Sequence, residues 1–189
     1  MIRIGILGDI GSGKTYVANN FGYPVFNADH EVSKLYKKDK KTFNKLKKIL
    51  PKYFISFPIK KSQVSKAILA NRNNLRKIVK IVHLEIRKKM NIFIKKNKNK
   101  KIIILDIPLL LENKINKKND VLIFVKSKRS EILKRLKNRE SFNKKLLNEF
   151  KNIQLPLDYK KKKSTFIIKN NFKKKSVRKD IKNILKNFR

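Results

Sequence analysis

The chain has 189 residues, with 52 lysines and arginines against 13 aspartates and glutamates, and it contains no cysteine. This length suits one domain with a sizeable core. The cysteine count excludes disulfides and thiolate metal sites, and two histidines are too few to indicate a zinc site. A chain without cysteine fits a reducing compartment, so we expect a cytoplasmic protein. No apolar run reaches the roughly 18 residues of a membrane-spanning helix, so we expect no membrane partner.

The formal net charge of +39 would by itself indicate a nucleic-acid partner. The lysines are spread over almost every segment, however, and they accompany many asparagines and isoleucines. These three residue types share A/T-rich codons, so a compositional bias of the genome explains the charge more simply. We therefore expect no specific nucleic-acid partner, only weak attraction of polyanions at low salt.

Short apolar runs alternate with helix-like stretches along the chain. Five runs without polar alternation, typical of strands buried on both faces, lie at 2–7, 24–27, 102–107, 121–125 and 166–168. The helix-like stretches are 14–21, 30–37, 41–50, 64–70, 74–94, 130–138, 144–153 and 177–187. The alternation predicts an α/β fold with a mostly parallel five-stranded sheet. The long helical region before residue 102 exceeds a simple crossover, which predicts a substrate-binding insertion.

Residues 8–15, which read Gly-Asp-Ile-Gly-Ser-Gly-Lys-Thr, match the pattern of a phosphate-binding loop between a strand and a helix. Glycines let backbone N–H groups approach a polyphosphate, a lysine neutralises it, and a threonine hydroxyl can bind Mg²⁺. The predicted nucleotide-binding residues here are Gly8, Gly11, Ser12, Gly13, Lys14, Thr15 and Tyr16. We therefore expect the chain to bind a nucleoside triphosphate.

Acidic residues are scarce, and Asp29, Asp106 and Glu112 lie at or just beyond predicted strand ends. Ligands of open α/β sheets bind at the carboxyl ends of the strands. A carboxylate there can hold a magnesium ion or accept the proton of an attacking hydroxyl. Asp29 could also cap the following helix. Asp106 lies within an apolar strand, so its carboxylate needs a polar partner. Glu112 could equally be a solvated loop acid. The densest basic run, 160–163, is typical of a solvated turn.

Several segments together resemble the dephospho-CoA kinase family. The first is the opening strand with its loop, residues 4–15; next, residues 27–29 (Asn-Ala-Asp) are similar to the family's D-A-D. Residues 106–112 resemble its D-x-P-L-L-[FY]-E, and 154–160 resemble its Q-x-P-x-x-x-K, followed by 167–170 in place of V-I-x-N. The loop is shared by many NTP-binding proteins, whereas the P-L-L-x-E and Q-x-P-x-x-x-K segments are far more specific. The resemblance covers almost the whole chain.

The resemblance implies a three-layer P-loop fold in a single domain. Its nucleotide-binding core would comprise residues 1–27, 101–128 and 164–189, its helical CoA-binding region 28–100, and its lid 129–163. It also implies transfer of the ATP γ-phosphoryl group to the ribose 3′-hydroxyl of dephospho-CoA, the last step of coenzyme A synthesis, with Mg²⁺ as cofactor. We expect the protein to act as a monomer.

The resemblance further implies roles for single residues. Asp29 would orient or deprotonate the substrate hydroxyl, Lys14 would contact the phosphates, and Asp106 would hold Mg²⁺ through water. The other implied residues are Asn170 at the nucleotide, His83, Arg87, Pro108, Leu109 and Glu112 on the substrate side, and Arg135 and Arg139 on the lid, with Arg139 also catalytic. An exposed basic stripe would explain the two arginines as well, and a partly buried structural histidine would explain His83.

Several positions depart from the family pattern. Ser164 and Thr165 stand in place of its A-D before the last strand, and Asn171 and Phe172 displace its glycine after Asn170. Asn27 replaces the first aspartate of D-A-D, which removes a charge but keeps hydrogen bonding. Leu84 replaces the proline after the histidine, and Phe150 stands where the family usually has a lid arginine. Asp9 places a negative charge in the phosphate loop, and we expect its side chain to face solvent or a lysine.

Two other functions stay open at this point. Another P-loop kinase for a nucleoside, a nucleotide or a shikimate-like alcohol would share the loop and the lid, but it would not require residues 108–112 or 154–156. A nucleic-acid-binding protein with an NTP site would concentrate its basic residues on one face.

Overall fold

A computed structural model describes residues 1–138 and 142–188; the predicted lid residue Arg139 lies outside these ranges. Within them, five strands form one all-parallel sheet in the order β2-β3-β1-β4-β5. The strands are β1 (Ile2–Gly8), β2 (Val25–Asn27), β3 (Ile102–Asp106), β4 (Val121–Lys126) and β5 (Phe166–Lys169). The predicted α/β class and all five predicted strands are confirmed.

The described residues also form nine helices. These are α1 (Lys14–Asn19), α2 (Ala28–Lys38), α3 (Lys40–Ile49), α4 (Lys61–Ala70), α5 (Arg72–Lys96), α6 (Arg129–Lys137), α7 (Lys144–Asn152), α8 (Leu157–Lys162) and α9 (Lys174–Lys186). Eight of them match the predicted helical stretches. The sequence did not predict α8, because its last residues belong to the basic run that was expected to be a solvated turn.

The apolar runs become strands because the sheet is covered on both faces. Every residue of β3 is buried, and so is every residue of β1 after Ile2. Residues buried on both faces have no polar side to alternate with, which explains the continuous apolar sequence. One core cluster joins the central strands to α1 and α9, and it includes Ile4, Ile6, Val17, Ile104, Ile123, Val177 and Ile181.

The chain divides into two compact units. The sheet unit comprises Met1–Asn27, Lys96–Phe142 and Gln154–Arg189, and the helical unit comprises Ala28–Lys95 and Asn143–Ile153. Helix α7 therefore belongs with the helical unit, where it packs against α4. The functional division into core, CoA-binding region and lid stays a prediction. In the described ranges, no helix combines the length and apolarity needed to cross a bilayer.

Candidate active site

The phosphate loop connects β1 to α1 and depends on its glycines. Gly8, Gly11 and Gly13 have φ angles of 147°, 84° and 87°, a region that side-chain-bearing residues rarely adopt. Space is limiting as well, since a Cβ added to Gly13 would lie 2.3 Å from Asn170 Nδ2. The third glycine of the loop is therefore required both by its backbone conformation and by its close neighbour.

We expect Gly13→Ala to destabilise the fold and to abolish ATP binding. Its left-handed φ alone costs an alanine about 1 kcal/mol or more, and the collision with Asn170 adds to that loss. Gly22→Ala is the matched control, because Gly22 has a φ of 74° but no atom within 4 Å of an added Cβ. Urea unfolding and ATP titration of both variants measure the difference. Equal free energies of unfolding, or ATP binding by the Gly13 variant, would contradict this interpretation.

The carbonyl oxygen of Ser12 fixes the loop to two strand ends. Asn170, which follows β5 and is 2% exposed, donates to it from Nδ2 at 2.8 Å, and Ser127, which follows β4, donates from Oγ at 2.9 Å. Asn170 thus contacts the phosphate loop. Its role in binding the nucleotide stays a prediction. The sequence analysis missed Ser127. The available signal was its position just after the predicted strand at 121–125, which the structure shows paired with β1.

Lys14 and Asp9 both interact with the loop itself. Lys14 Nζ donates to the carbonyl oxygens of Gly8 at 3.2 Å and Asp9 at 2.8 Å, so its charge lies over the loop backbone. The Asp9 carboxylate was expected to face solvent or a lysine. Asp9 is half-buried, and its Oδ1 accepts the backbone N–H of Ile10 at 2.7 Å. The unusual acid therefore helps to shape the loop.

Thr15, Asp106 and Asn27 meet at the carboxyl edge of the sheet. The parallel pairing of β2 with β3 places Asn27 opposite Asp106. Thr15 Oγ1 donates to Asp106 Oδ2 at 2.6 Å, and Asn27 Nδ2 donates to the same oxygen at 2.7 Å. Asp106 is 3% exposed, so the expectation that it needs polar partners is confirmed.

The donor chemistry of this cluster fits a magnesium ion. The Thr15 hydroxyl donates its hydrogen to Asp106. A lone pair of the Thr15 oxygen is therefore available to a cation. Mg²⁺ prefers oxygen ligands and is commonly bound by one or two protein groups together with water and phosphate oxygens. Thr15 and Asp106 are thus the described residues that could hold it beside the loop.

Glu112 and Lys160 form a buried ion pair. Glu112 ends the family-like segment 106–112, and Lys160 ends the family-like segment 154–160. Lys160 Nζ lies 2.6 Å from Glu112 Oε1, and their side chains are 1% and 9% exposed. The same Glu112 oxygen accepts the backbone N–H of Leu155, while Lys160 also donates to Gln154 Oε1. The interpretations of Glu112 as a solvated loop acid and of Lys160 as part of a solvated turn are therefore wrong. Both charges are buried together, where each needs the other.

Arg135 is connected to the phosphate loop by Phe172, a residue that the sequence analysis did not select. The Arg135 guanidinium stacks 4.2 Å from the centre of the Phe172 ring. Phe172 has a φ of 62°, and its N–H is held by Asn170 Oδ1 at 2.9 Å. Its ring lies 3.2 Å from where a Gly13 Cβ would be. The available signal was the displacement of the family's glycine after Asn170.

The remaining predicted residues lie in both units. In the helical unit, Asp29 is exposed in the first turn of α2; it is not the N-cap, because the helix already begins at Ala28. His83 is half-buried and Arg87 is exposed, one turn apart on α5. In the sheet unit, Pro108 and Leu109 are half-buried in the turn after β3, and Tyr16 packs against the core.

Comparisons with known proteins bear on the family and on the fold of this chain. The family model described as Dephospho-CoA kinase matches residues 2–176. A Dephospho-CoA kinase of Wolbachia pipientis wMel is 35% identical over 187 residues, which cover 96% of this chain and 95% of that protein.

Two solved structures have the same fold. TT1252 from Thermus thermophilus superposes with a TM-score of 0.76 at 22% identity, covering 98% of this chain and 97% of the other. The Dephospho-CoA kinase from Campylobacter jejuni superposes with a TM-score of 0.56 at 22% identity, covering 98% and 96%. Together with the loop geometry, these likenesses confirm the predicted P-loop α/β fold.

Proposed function

The chain belongs to the dephospho-CoA kinase family, and on this premise we propose that it transfers the γ-phosphoryl group of ATP to the ribose 3′-hydroxyl of dephospho-CoA. The products are CoA and ADP, and the reaction completes coenzyme A biosynthesis. The observation that carries the proposal is the contact of Thr15 with Asp106 directly beside the phosphate loop. It brings a loop residue together with the first residue of a family-specific segment.

The loop and its neighbours bind the donor nucleotide in this proposal. Backbone N–H groups at the start of α1 and the Lys14 ammonium face the phosphates, since a helix N-terminus and a lysine both favour anions. Mg²⁺, when bound, neutralises charge on the phosphate oxygens. Thr15 and Asp106 would hold it, with the carboxylate acting through water. Asn170 supports the nucleotide site by fixing the carbonyl oxygen of Ser12.

Cations of the lid stabilise the transferring group in this proposal. A loose phosphoryl-transfer transition state spreads negative charge over its equatorial oxygens, and fixed cations nearby lower its energy. Arg135 is supported for this role by its contact with Phe172, whose ring lies close to Gly13. Arg139, four positions further along the sequence, is proposed as the second lid cation.

Asp29 is proposed to orient the acceptor hydroxyl and to take its proton. A carboxylate exposed in the first turn of a helix is accessible to a substrate hydroxyl. We place His83 and Arg87 on the substrate side of the helical unit. Pro108 and Leu109 are proposed to contact the substrate. Glu112 was predicted on the substrate side as well. Because its carboxylate is buried against Lys160, it is proposed to act there by supporting the turn that carries Pro108 and Leu109.

An assay of the purified protein with ATP, Mg²⁺ and dephospho-CoA tests the proposed reaction. We expect ADP and CoA in equal amounts, and we expect no product from Lys14→Met beyond the background. Parallel reactions with nucleosides, nucleotides and shikimate test the alternative kinases. Turnover of one of these, without CoA formation, would contradict the proposal.

The monomeric state, the cytoplasmic location and the lack of a specific nucleic-acid partner stay predictions from the sequence. Light scattering with and without ATP tests the first. A binding titration with RNA at physiological salt tests the last, because nonspecific attraction of polyanions falls steeply as salt rises.

A further inference from the structure

Asn27 is the position at which the chain departs from the D-A-D pattern, and its amide reaches the centre of the Thr15–Asp106 pair. Asn27 Nδ2 lies 2.7 Å from Asp106 Oδ2 and 3.5 Å from Thr15 Oγ1. The same Asp106 oxygen accepts the Thr15 hydroxyl at 2.6 Å. One carboxylate oxygen therefore receives hydrogen bonds from two elements, β2 and α1.

The chemistry of Asp106 dictates which end of the Asn27 amide faces it. An ionised carboxylate only accepts hydrogen bonds, so the NH₂ group must point towards it. An ionised aspartate at position 27 would have no hydrogen to donate. Two carboxylate oxygens at such a separation repel each other unless a proton or a cation lies between them. The strand register places residue 27 opposite Asp106, so a side chain of the same length reaches the same oxygen.

We propose that Asn27 is a positioning residue that keeps the cation site beside the loop at a single negative charge. Its amide holds Asp106 in the orientation that accepts the Thr15 hydrogen, and a lone pair of the threonine oxygen remains available to a cation. With one carboxylate, the protein alone binds a divalent cation weakly, because affinity for hard cations rises with ligand charge. The nucleotide phosphates then complete the ligand set, so the cation enters with ATP.

The test measures Mn²⁺ binding by electron paramagnetic resonance in the absence of nucleotide. Asn27→Asp adds a second carboxylate, so we expect Mn²⁺ affinity to rise roughly tenfold or more. Asn183→Asp makes the same charge change at an exposed position of α9 and should leave Mn²⁺ affinity within about twofold of the wild-type value. An Asn27→Asp variant with wild-type Mn²⁺ affinity would overturn the proposal.

The Asn27→Ala variant separates the loss of the hydrogen bond to Asp106 from the addition of a negative charge at position 27. It adds no ligand, so Mn²⁺ affinity without nucleotide should stay within about twofold of wild type. Asp106 loses a donor, however, so we expect the KM for MgATP to rise several-fold with little change in kcat. If the alanine and aspartate variants change Mn²⁺ binding alike, Asn27 has only a structural role.

Folding of the aspartate variant is itself informative. Should Asn27→Asp unfold in metal-free buffer, Mn²⁺ should restore its circular dichroism spectrum, because a cation relieves the repulsion between the two carboxylates. A variant that stays unfolded with Mn²⁺ would overturn the proposal. The inference rests on the proposed function in one respect only, namely that the cation enters the site together with ATP. A failed CoA assay would contradict that function, while the Mn²⁺ titration would still decide the role of Asn27.

Discussion

Asp29→Asn should lower kcat for CoA formation by roughly 10²- to 10⁴-fold, the range by which general bases contribute to proton transfer. The amide cannot accept the hydroxyl proton, although it retains the size of the side chain. ATP binding should change little, because the loop and its partners Asp106 and Asn170 belong to the sheet unit. Steady-state kinetics and ATP titration measure the two effects separately.

Asp158→Asn is the matched control for this variant. Asp158 is also an exposed aspartate in the first turn of a helix, α8, so the substitution makes the same chemical change in a similar environment. Its kcat should stay within about twofold of wild type, since exposed substitutions rarely perturb the fold. If the Asp29 variant loses ATP binding while turnover per bound ATP is unchanged, the assignment of Asp29 as the base is wrong.

Lys160→Met should lower the free energy of unfolding by about 3–5 kcal/mol. The substitution leaves the Glu112 carboxylate buried without its cation, and a lone buried charge is far more costly than the pair. Lys161→Met, at the exposed neighbouring position of α8, should change stability by no more than about 0.5 kcal/mol. Urea unfolding of both variants gives the comparison.

The double variant Glu112→Leu/Lys160→Met separates the buried charge from the loss of packing. Replacing both partners removes the unpaired charge, so stability should recover most of the loss of the single variant. No recovery would mean that the lysine stabilises α8 by its shape and by Gln154 rather than by its charge.

The elements that the sequence predicted well are those whose information is local. The strands were located because residues buried on both faces form continuous apolar runs, and the loop because its glycine spacing has a fixed mechanism. The need of Asp106 for a polar partner was also readable, since a carboxylate within an apolar strand must be satisfied.

The features that the sequence did not predict depend on contacts between distant residues. Lys160 is buried because Glu112, 48 positions earlier, meets it, and nothing in a run of lysines distinguishes the one that pairs. Phe172 stacks against Arg135, 37 positions earlier, and Phe172 reaches it from the segment that follows the edge strand β5. Helix α8 was also missed, because a helix of six residues, the last three of them lysines, is too short to show an apolar period.

One of the two donors to the Ser12 carbonyl oxygen, Asn170, links the phosphate loop to the edge of the sheet. Asn170 follows β5, which pairs on one side only, so any opening of this edge strand removes a loop contact. The pairing of β5 with β4 therefore supports the position of Asn170 against the loop. Bound ATP should in turn slow amide hydrogen exchange in β5, far along the chain from the residues that touch the nucleotide.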